Sequence, residues 1–318
     1  MSLHWGILST AQIKRRVIPA LLAAEDNEVA AIASRDGHRA AEAAREFGIP
    51  RVHGSYEALL ADPEIDAVYI PLPNAMHLEW AEQAIGAGKH VLCEKPLSRR
   101  SGEVERAFAL AERSERLLME AFMYRHHPQT EMLLALAGEG RIGALRVITA
   151  SFGFNLPGAP NIRLDAALDG GALMDVGCYC IHAIRQLAGE PETVQAVQVL
   201  NDGGVDVTFA GALRMPGGVV AHFDAGMAQA PRHHLEVVGE TGTLSVADPW
   251  HCGHPGIELR RDGALEIVPV PNADPYQQQA EHFARVVAGA EPPRLPARDG
   301  IGQARTIEAL YAAAGQSG

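Results

Sequence analysis

The stretch His90-Val91-Leu92-Cys93-Glu94-Lys95-Pro96-Leu97 decides the fold: a short apolar run breaks off in a charged pair and a proline. A run this short, preceded by Gly88 and stopped by Pro96, reads as a buried strand that delivers Glu94 and Lys95 to its own tip. In open parallel sheets ligands sit outside the carboxyl ends of strands, so a lysine placed there faces a crevice. The plainer reading is a surface lysine paired with solvent and neighbouring acids, the common fate of that residue. From these eight residues alone both readings stand.

Working outward, the same short-strand pattern repeats. Leu3 to Leu8 is an apolar strand, after which Ile13, Val17, Ala20 and Leu21 recur at helical spacing. Val29 to Ala33 is a second strand, followed by a helix from about His38 to Phe47 that Gly48 can close in the left-handed conformation. Helix over 55–61, strand over 67–70, helix over 75–87, strand over 91–93, helix over 102–114 and strand over 117–121 complete the series. Strands and helices alternating at this spacing pair in parallel through right-handed crossovers, which predicts a doubly wound α/β sheet over residues 1–123.

After Met123 the alternation ends, and a domain boundary is expected there, with residues 124–318 forming a second domain. Strands dominate it, over 146–154, 193–200, 205–214, 219–228 and 234–239, with shorter runs to Val270; Asp202-Gly203-Gly204 and Pro216-Gly217-Gly218 separate some of them as hairpin turns would. One helix, Met174 to Ala188, interrupts, and residues 300–314 read as a terminal helix that packs on the body of the protein. The expectation is an α+β domain with a large open, mainly antiparallel sheet.

Composition sets the outer limits. The 318 residues suffice for two domains with sizeable cores, and 27 basic against 39 acidic residues give a formal charge of -12, which repels phosphate backbones and anionic membranes. Nucleic acid and membrane are therefore poor partners. The cysteines at 93, 178, 180 and 252 form no metal-type CxxC pairs, and a chain this long needs no disulfide staples. The start MSLHWGILST lacks a basic segment followed by a long apolar one, and no apolar run reaches the ~20 residues of a membrane helix. A reducing, cytoplasmic setting is expected.

Besides Lys95 and the strand end Pro71 to Asn74, three places carry candidate chemistry. In the first turn, where a dinucleotide pyrophosphate would rest on helix-terminal amides, the usual GxGxxG window reads Ser9, Ala11 and Lys14; no glycine remains, but small residues permit a fairly close approach. After the second strand, Ser34 and Arg35 offer a hydroxyl and a guanidinium suited to a 2′-phosphate, which favours NADP, while Asp36 beside them could neutralise the arginine or restore NAD use. On the 174–188 helix, Asp175, Tyr179 and His182 fall at i, i+4 and i+7, a carboxylate, a phenol and an imidazole on one face. A phenol beside an ammonium is a plausible general acid/base, and equally a tyrosine that packs and bonds an ordinary partner. The histidine-rich spots 126–127, 233–234 and 251–254 match no HExxH or four-ligand set, so no metal site is expected.

Six stretches, WGILSTAQI, ASRD, PLPNAMH, HVLCEKPL, EAFMYRHHPQ and GGALMDVGCYCIHAIR, occur in an order that resembles the Gfo/Idh/MocA family of nicotinamide-dependent oxidoreductases. The resemblance spans nearly the whole chain, and implies a Rossmann domain for NADP, with NAD as the alternative, followed by a substrate domain that commonly forms homodimers or higher homo-oligomers. It implies cofactor contacts by Ser9, Thr10, Ala11, Gln12, Ile13, Ser34, Arg35, Leu72, Pro73, Asn74, His77, Glu94 and Lys95. The family lysine that meets substrate and cofactor matches Lys95. The family block DxGxHxxD reads here Asp175, Gly177, Tyr179 and His182, so a tyrosine replaces the usual histidine, as in the subgroup of dihydrodiol dehydrogenases and NADP-dependent D-xylose dehydrogenases. Asp169 stands where related chains often have glycine.

The resemblance thus implies catalysis by Lys95, Tyr179 and Asp175, with Arg125, Arg163 and His182 as further substrate contacts. The expected reaction is oxidation of an aldose such as D-xylose or glucose to its lactone. Dihydrodiol oxidation and reduction of a keto sugar such as 1,5-anhydrofructose are the enzymatic alternatives, and a non-catalytic sensor of NADP or sugar is the alternative of another class.

Overall fold

The computed structural model describes residues 2–156 and 161–315. Its first half runs β1 (Leu3–Leu8), α1 (Lys14–Ala23), β2 (Asn27–Ala33), α2 (Gly37–Phe47), β3 (Arg51–His53), α3 (Tyr56–Leu60), β4 (Ala67–Ile70), α4 (His77–Gly86), β5 (His90–Cys93), α5 (Ser101–Arg113) and β6 (Leu118–Glu120). The second half adds α6 (Pro128–Gly138), β7 (Leu145–Asn155), α7 (Cys178–Ala188), β8 (Thr193–Leu200), β9 (Asp206–Arg214), β10 (Val220–Gly226), β11 (Ala228–Gly239), β12 (Gly242–Val246), β13 (Ile257–Arg261), β14 (Ala264–Val268), α8 (Pro275–Val287) and α9 (Ala297–Ala313).

Two compact units result, one of residues 1–123 with 274–301 and one of 124–273 with 302–318. In the first, six parallel strands lie in the order β3-β2-β1-β4-β5-β6, the doubly wound arrangement expected. The order reverses between β1 and β4, so the loops leaving these strands flank the switch point at which such sheets take ligands. Ala67 to Ile70 and Val91 to Cys93 are wholly buried, which is why those strands read as unbroken apolar runs. Helix α2 is set by its ends: Asp36 accepts from the N–H groups of His38 and Arg39, and Gly48 closes it at φ 71°.

The first unit also holds an element that sequence reading missed. Helix α8, capped by Asp274, returns to it, setting Phe283 against Trp5 at 4.8 Å between ring centroids and Tyr276 under Arg16. Residues 274–301, expected in the second domain, are thus grouped with the first, because that is where α8 buries its apolar stripe. The terminal helix begins at Ala297, and the division between units falls inside it.

The second unit is an eight-stranded sheet, β14-β13-β12-β11-β7-β10-β9-β8, antiparallel at every pairing except β10 with β7. The strand expected over 219–228 ends at Gly226, and β11 begins at Ala228 with an irregularity before Arg232. Helix α6 is a second missed element: its sequence PQTEMLLALAG gives almost no polar face, so its period is hard to read. The helix expected from Met174 is two elements, a π-helical segment Leu173–Gly177 followed by α7. Gly177, at the end of the π segment, is closely packed: a Cβ there would stand 3.0 Å from Leu173 Cδ1 and 3.1 Å from Ala225 on β10.

Candidate functional site

In the first unit the candidate residues sit on the loops that leave β1, β2, β4 and β5. Ser9 follows β1 with φ 139°, a conformation that favours glycine, and its Oγ accepts from the Ala11 N–H at 3.0 Å. The glycine-free fingerprint therefore keeps the backbone demand of its first position and meets it with a serine whose hydroxyl ties the turn. Thr10 is buried, Ala11 and Ile13 are half-buried and Gln12 is exposed as the chain enters α1. After β2, Ser34 is buried and its Oγ accepts from the Asp36 N–H, while Arg35 is exposed. The Asp36 carboxylate is committed to capping α2, at 2.9 Å from the His38 nitrogen, and among the described residues no ion pair joins it to Arg35.

The loops after β4 and β5 are braced against each other. His77, 1 % exposed, sets Nε2 2.8 Å from the Leu72 carbonyl and Nδ1 2.8 Å from the Pro96 carbonyl. It was expected to meet the cofactor; with both ring nitrogens turned to carbonyls and almost no surface, it is instead the strut between two strand-end loops. Leu72 is buried, and Pro73 and Asn74 are half-buried.

The tip of β5 is anchored by three side-chain contacts. The Tyr69 hydroxyl donates to Glu94 Oε1 at 2.6 Å, the other oxygen of Glu94 accepts from the Lys95 N–H at 3.3 Å, and the Leu97 N–H donates to the buried Glu120 at 2.9 Å. Burial, with the Glu94 and Glu120 charges added, pushes the Cys93 thiol well up, so it stays protonated beneath the tip. Lys95 itself is half-buried, and its peptide bond to Pro96 is cis.

In the second unit the candidate residues converge on the segment after Asp169. Asp169 adopts the left-handed conformation at φ 55°, which explains why glycine suits this position and why an aspartate is tolerated. Gly171, at φ 139°, lies so close to Asp206 that a Cβ would collide with its carboxylate, and the Leu173 N–H donates to Asp206 at 2.8 Å. The π-helical segment then presents Asp175, whose Oδ2 accepts from Arg163 Nε at 2.7 Å. The i, i+4 spacing assumed for Asp175 and Tyr179 crosses that π segment, so it does not describe an α-helical face. Tyr179 sits in an aromatic wall, with ring centroids 5.4 Å from Phe152, 5.7 Å from Tyr124 and 6.0 Å from Trp250. The Trp250 indole N–H donates to the Ser151 carbonyl at 2.8 Å, which fixes the wall.

Two proposed substrate contacts belong to the interior. His182 is 0 % exposed, with Nδ1 hydrogen-bonded to the Tyr124 hydroxyl at 2.7 Å, so it supports the wall and has no surface to offer a substrate. Arg125 is 8 % exposed and donates to the Gln186 side chain at 3.2 Å. The arginine that ends the GGALMDVGCYCIHAIR block is structural as well. Arg185 grips both oxygens of Glu190, at 2.8 and 2.6 Å, and donates to Gln303, which in turn donates to the Cys178 carbonyl at the start of α7. The wall residues Tyr124, Phe152 and Trp250 escaped sequence reading because they come from three separate elements and no short-range spacing links them.

Comparison with known proteins agrees with this architecture. Residues 3–122 match the model of an oxidoreductase family with an NAD-binding Rossmann fold, and residues 131–245 match the GFO/IDH/MocA C-terminal domain. The chain belongs to the GFO/IDH/MocA oxidoreductase family. It is 41% identical to the D-xylose 1-dehydrogenase (NADP(+)) 2 of Haloferax volcanii, over 98% of this chain and 97% of the relative. It is 35% identical to the trans-1,2-dihydrobenzene-1,2-diol dehydrogenase of Sus scrofa, over 86% and 82%. Among solved structures it is similar to KijD10, a 3-ketoreductase from Actinomadura kijaniata in complex with NADP and TDP-benzene, with 37% identity, 98% of both chains covered and a TM-score of 0.92.

Proposed function

We propose that the chain is an NADP-dependent sugar dehydrogenase that oxidises an aldose of the D-xylose or glucose type at its anomeric carbon to the lactone. The observation that carries this reading is Tyr179, a phenol held by an aromatic wall at the position in the family block where the resemblance implies a proton carrier. Nicotinamide, when bound, supplies the acceptor for the hydride from the anomeric carbon. The chain's own residues manage the proton: Tyr179 takes it from the anomeric hydroxyl, and Lys95 is the second catalytic group of this reading, bonding the substrate hydroxyl. Asp175, oriented by Arg163, positions the sugar through its hydroxyls.

The residues after β1 and β2 suit a cofactor bearing a 2′-phosphate. The turn over 9–13 leads into the start of α1, and Ser34 and the exposed Arg35 supply a hydroxyl and a guanidinium beyond β2. Exposed Val197 and Val199 on β8, Val220 on β10 and Leu265 and Ile267 on β14 give the second sheet an apolar outer surface, which in this reading a second copy of the chain covers.

The test is absorbance at the nicotinamide band with NADP and a panel of aldoses, dihydrodiols and, in reverse, keto sugars. Turnover of aldoses is expected. Turnover confined to diols or keto sugars moves the assignment to those relatives' chemistry, and NADP binding without turnover of any panel member moves it to a sensor. Equilibrium sedimentation checks the dimer.

A further inference from the structure

Beside the aromatic wall, on the second unit, three side chains from two elements meet without any part in the chemistry above. His233 comes from β11, and Asp248 and His251 come from the connection over 247–256 between β12 and β13. Their ligand atoms all lie within 4.8 Å of one another. We propose that His233, Asp248 and His251 form a binding site for one divalent transition-metal ion of the zinc type, which ties the 247–256 connection to β11.

The distances suit such an ion. Nitrogen and oxygen ligands about 2.0–2.1 Å from zinc in tetrahedral array stand roughly 3.3 Å apart. Asp248 Oδ1 lies 3.4 Å from His251 Nδ1 and 4.0 Å from His233 Nδ1, so one pair already has that spacing, a second closes with a shift of under about 1 Å, and the third, between the two imidazoles, starts within 4.8 Å. His251 is 54 % exposed at its side chain and has room to turn. The carboxylate is held in place beforehand: Oδ1 accepts from the His251 N–H at 3.2 Å and Oδ2 from the Gly253 N–H at 2.8 Å. Phe152 packs edge-on against both imidazoles, at 5.0 and 5.4 Å, and forms an apolar floor.

The donor set selects the ion and the open position. Two imidazole nitrogens and one carboxylate oxygen suit Zn2+, Co2+ or Ni2+, whereas Mg2+ and Ca2+ demand more oxygen ligands. The adjacent Cys252 is buried and donates its thiol to the Pro249 carbonyl at 3.7 Å, so it is turned away, and a fourth position is left for water. Sequence spacing concealed the site because His233 stands on another element from the other two ligands.

The experiment uses tag-free, chelator-treated full-length protein titrated with Zn2+ alone by calorimetry, with thermal unfolding alongside. One ion per chain is expected, with a rise in Tm, and with affinity weakened about tenfold or more by His251→Ala and by His233→Asn, since even loss of an outer partner of a ligand costs about tenfold. Co2+ should give the visible absorption of a four-coordinate ion, lost in His251→Ala, and Mg2+ should not compete. No uptake at millimolar Zn2+, or uptake and a Tm shift that both variants leave unchanged, overturns the assignment. Because His251 is largely exposed, its alanine variant keeps the fold even if changes at His233 do not.

Discussion

The tip of β5 and the segment around Tyr179 carry the two residues assigned to the reaction, yet they are built by opposite means. Lys95 is placed by the parallel sheet itself: a buried strand ends, a proline follows, and Tyr69, Glu120 and His77 lock the exit. Tyr179 is placed by side chains drawn from α7, β7, the stretch before α6 and the 247–256 connection, around a π-helical turn whose Gly177 lies close against Leu173 and Ala225. A strand end offers one position per strand and reads directly from sequence. A wall of aromatic rings is a product of tertiary packing, and its members can be exchanged without disturbing any local pattern.

The largest expected effect tests whether both regions serve one reaction. Tyr179→Phe and Lys95→Ala should each lower kcat by about 10²–10⁴-fold with an identified substrate, the usual share of a proton-transferring group. Nicotinamide absorbance measures it, and wild-type turnover in either variant removes that residue from the mechanism. Arg185→Ala should break the second region while sparing the first. Loss of a buried guanidinium bonded to Glu190 and Gln303 should cost about 3 kcal/mol, and hydrogen exchange should show the loosening confined to the second unit.

Acid should act on the first region. Burial, assisted by the Arg116 charge, depresses His90 to about 4 from the usual 6.5, and its neutral Nδ1 accepts from the Leu117 N–H. The folded state then binds fewer protons than the unfolded chain between these values, so stability present above pH 6.5 is lost as pH falls towards 4, by about 2 kcal/mol once the screening of this partly exposed ring by solvent is allowed for. Urea unfolding across that window should show the slope in wild type and a flatter one in His90→Asn. Arg35→Ala should cut the preference for NADP over NAD by about tenfold, read from the two kcat/KM values. At the smallest end, Ser9→Ala loses the hydroxyl bond but keeps the positive φ, costing about 1 kcal/mol, whereas Ser9→Gly relieves the strain as it loses the bond and should be near neutral. Equal losses in the two variants, measured by denaturation, would show that the backbone angle at Ser9 does not matter.

What was legible in the sequence follows the same division. The parallel sheet could be read because burial on both faces leaves short apolar runs, and Gly48 and Pro96 punctuate them. The strands of the second sheet could be read from turn chemistry. Helix α6 could not, for want of a polar face, and the start of α7 could not, because a π turn has no separate sequence period. Helix α8 did carry a signal, Asp274 followed by Pro275, but its attachment to the first unit depends on Trp5 and Phe283, which lie far apart in the chain. His77 and His182 show the other limit: motif residues matched by pattern turned out to be struts, since pattern does not distinguish a side chain facing a ligand from one holding the backbone that does.

The return of α8 to the first unit has a consequence for biosynthesis. A ribosome releases residues 1–123 long before residues 274–301, so the first unit to be started cannot be finished until nearly all of the second has been made. Until then Trp5, 0 % exposed in the complete chain, lacks Phe283. The nascent sheet must wait with that flank uncovered, and a fragment ended at Met123 would keep it uncovered for good.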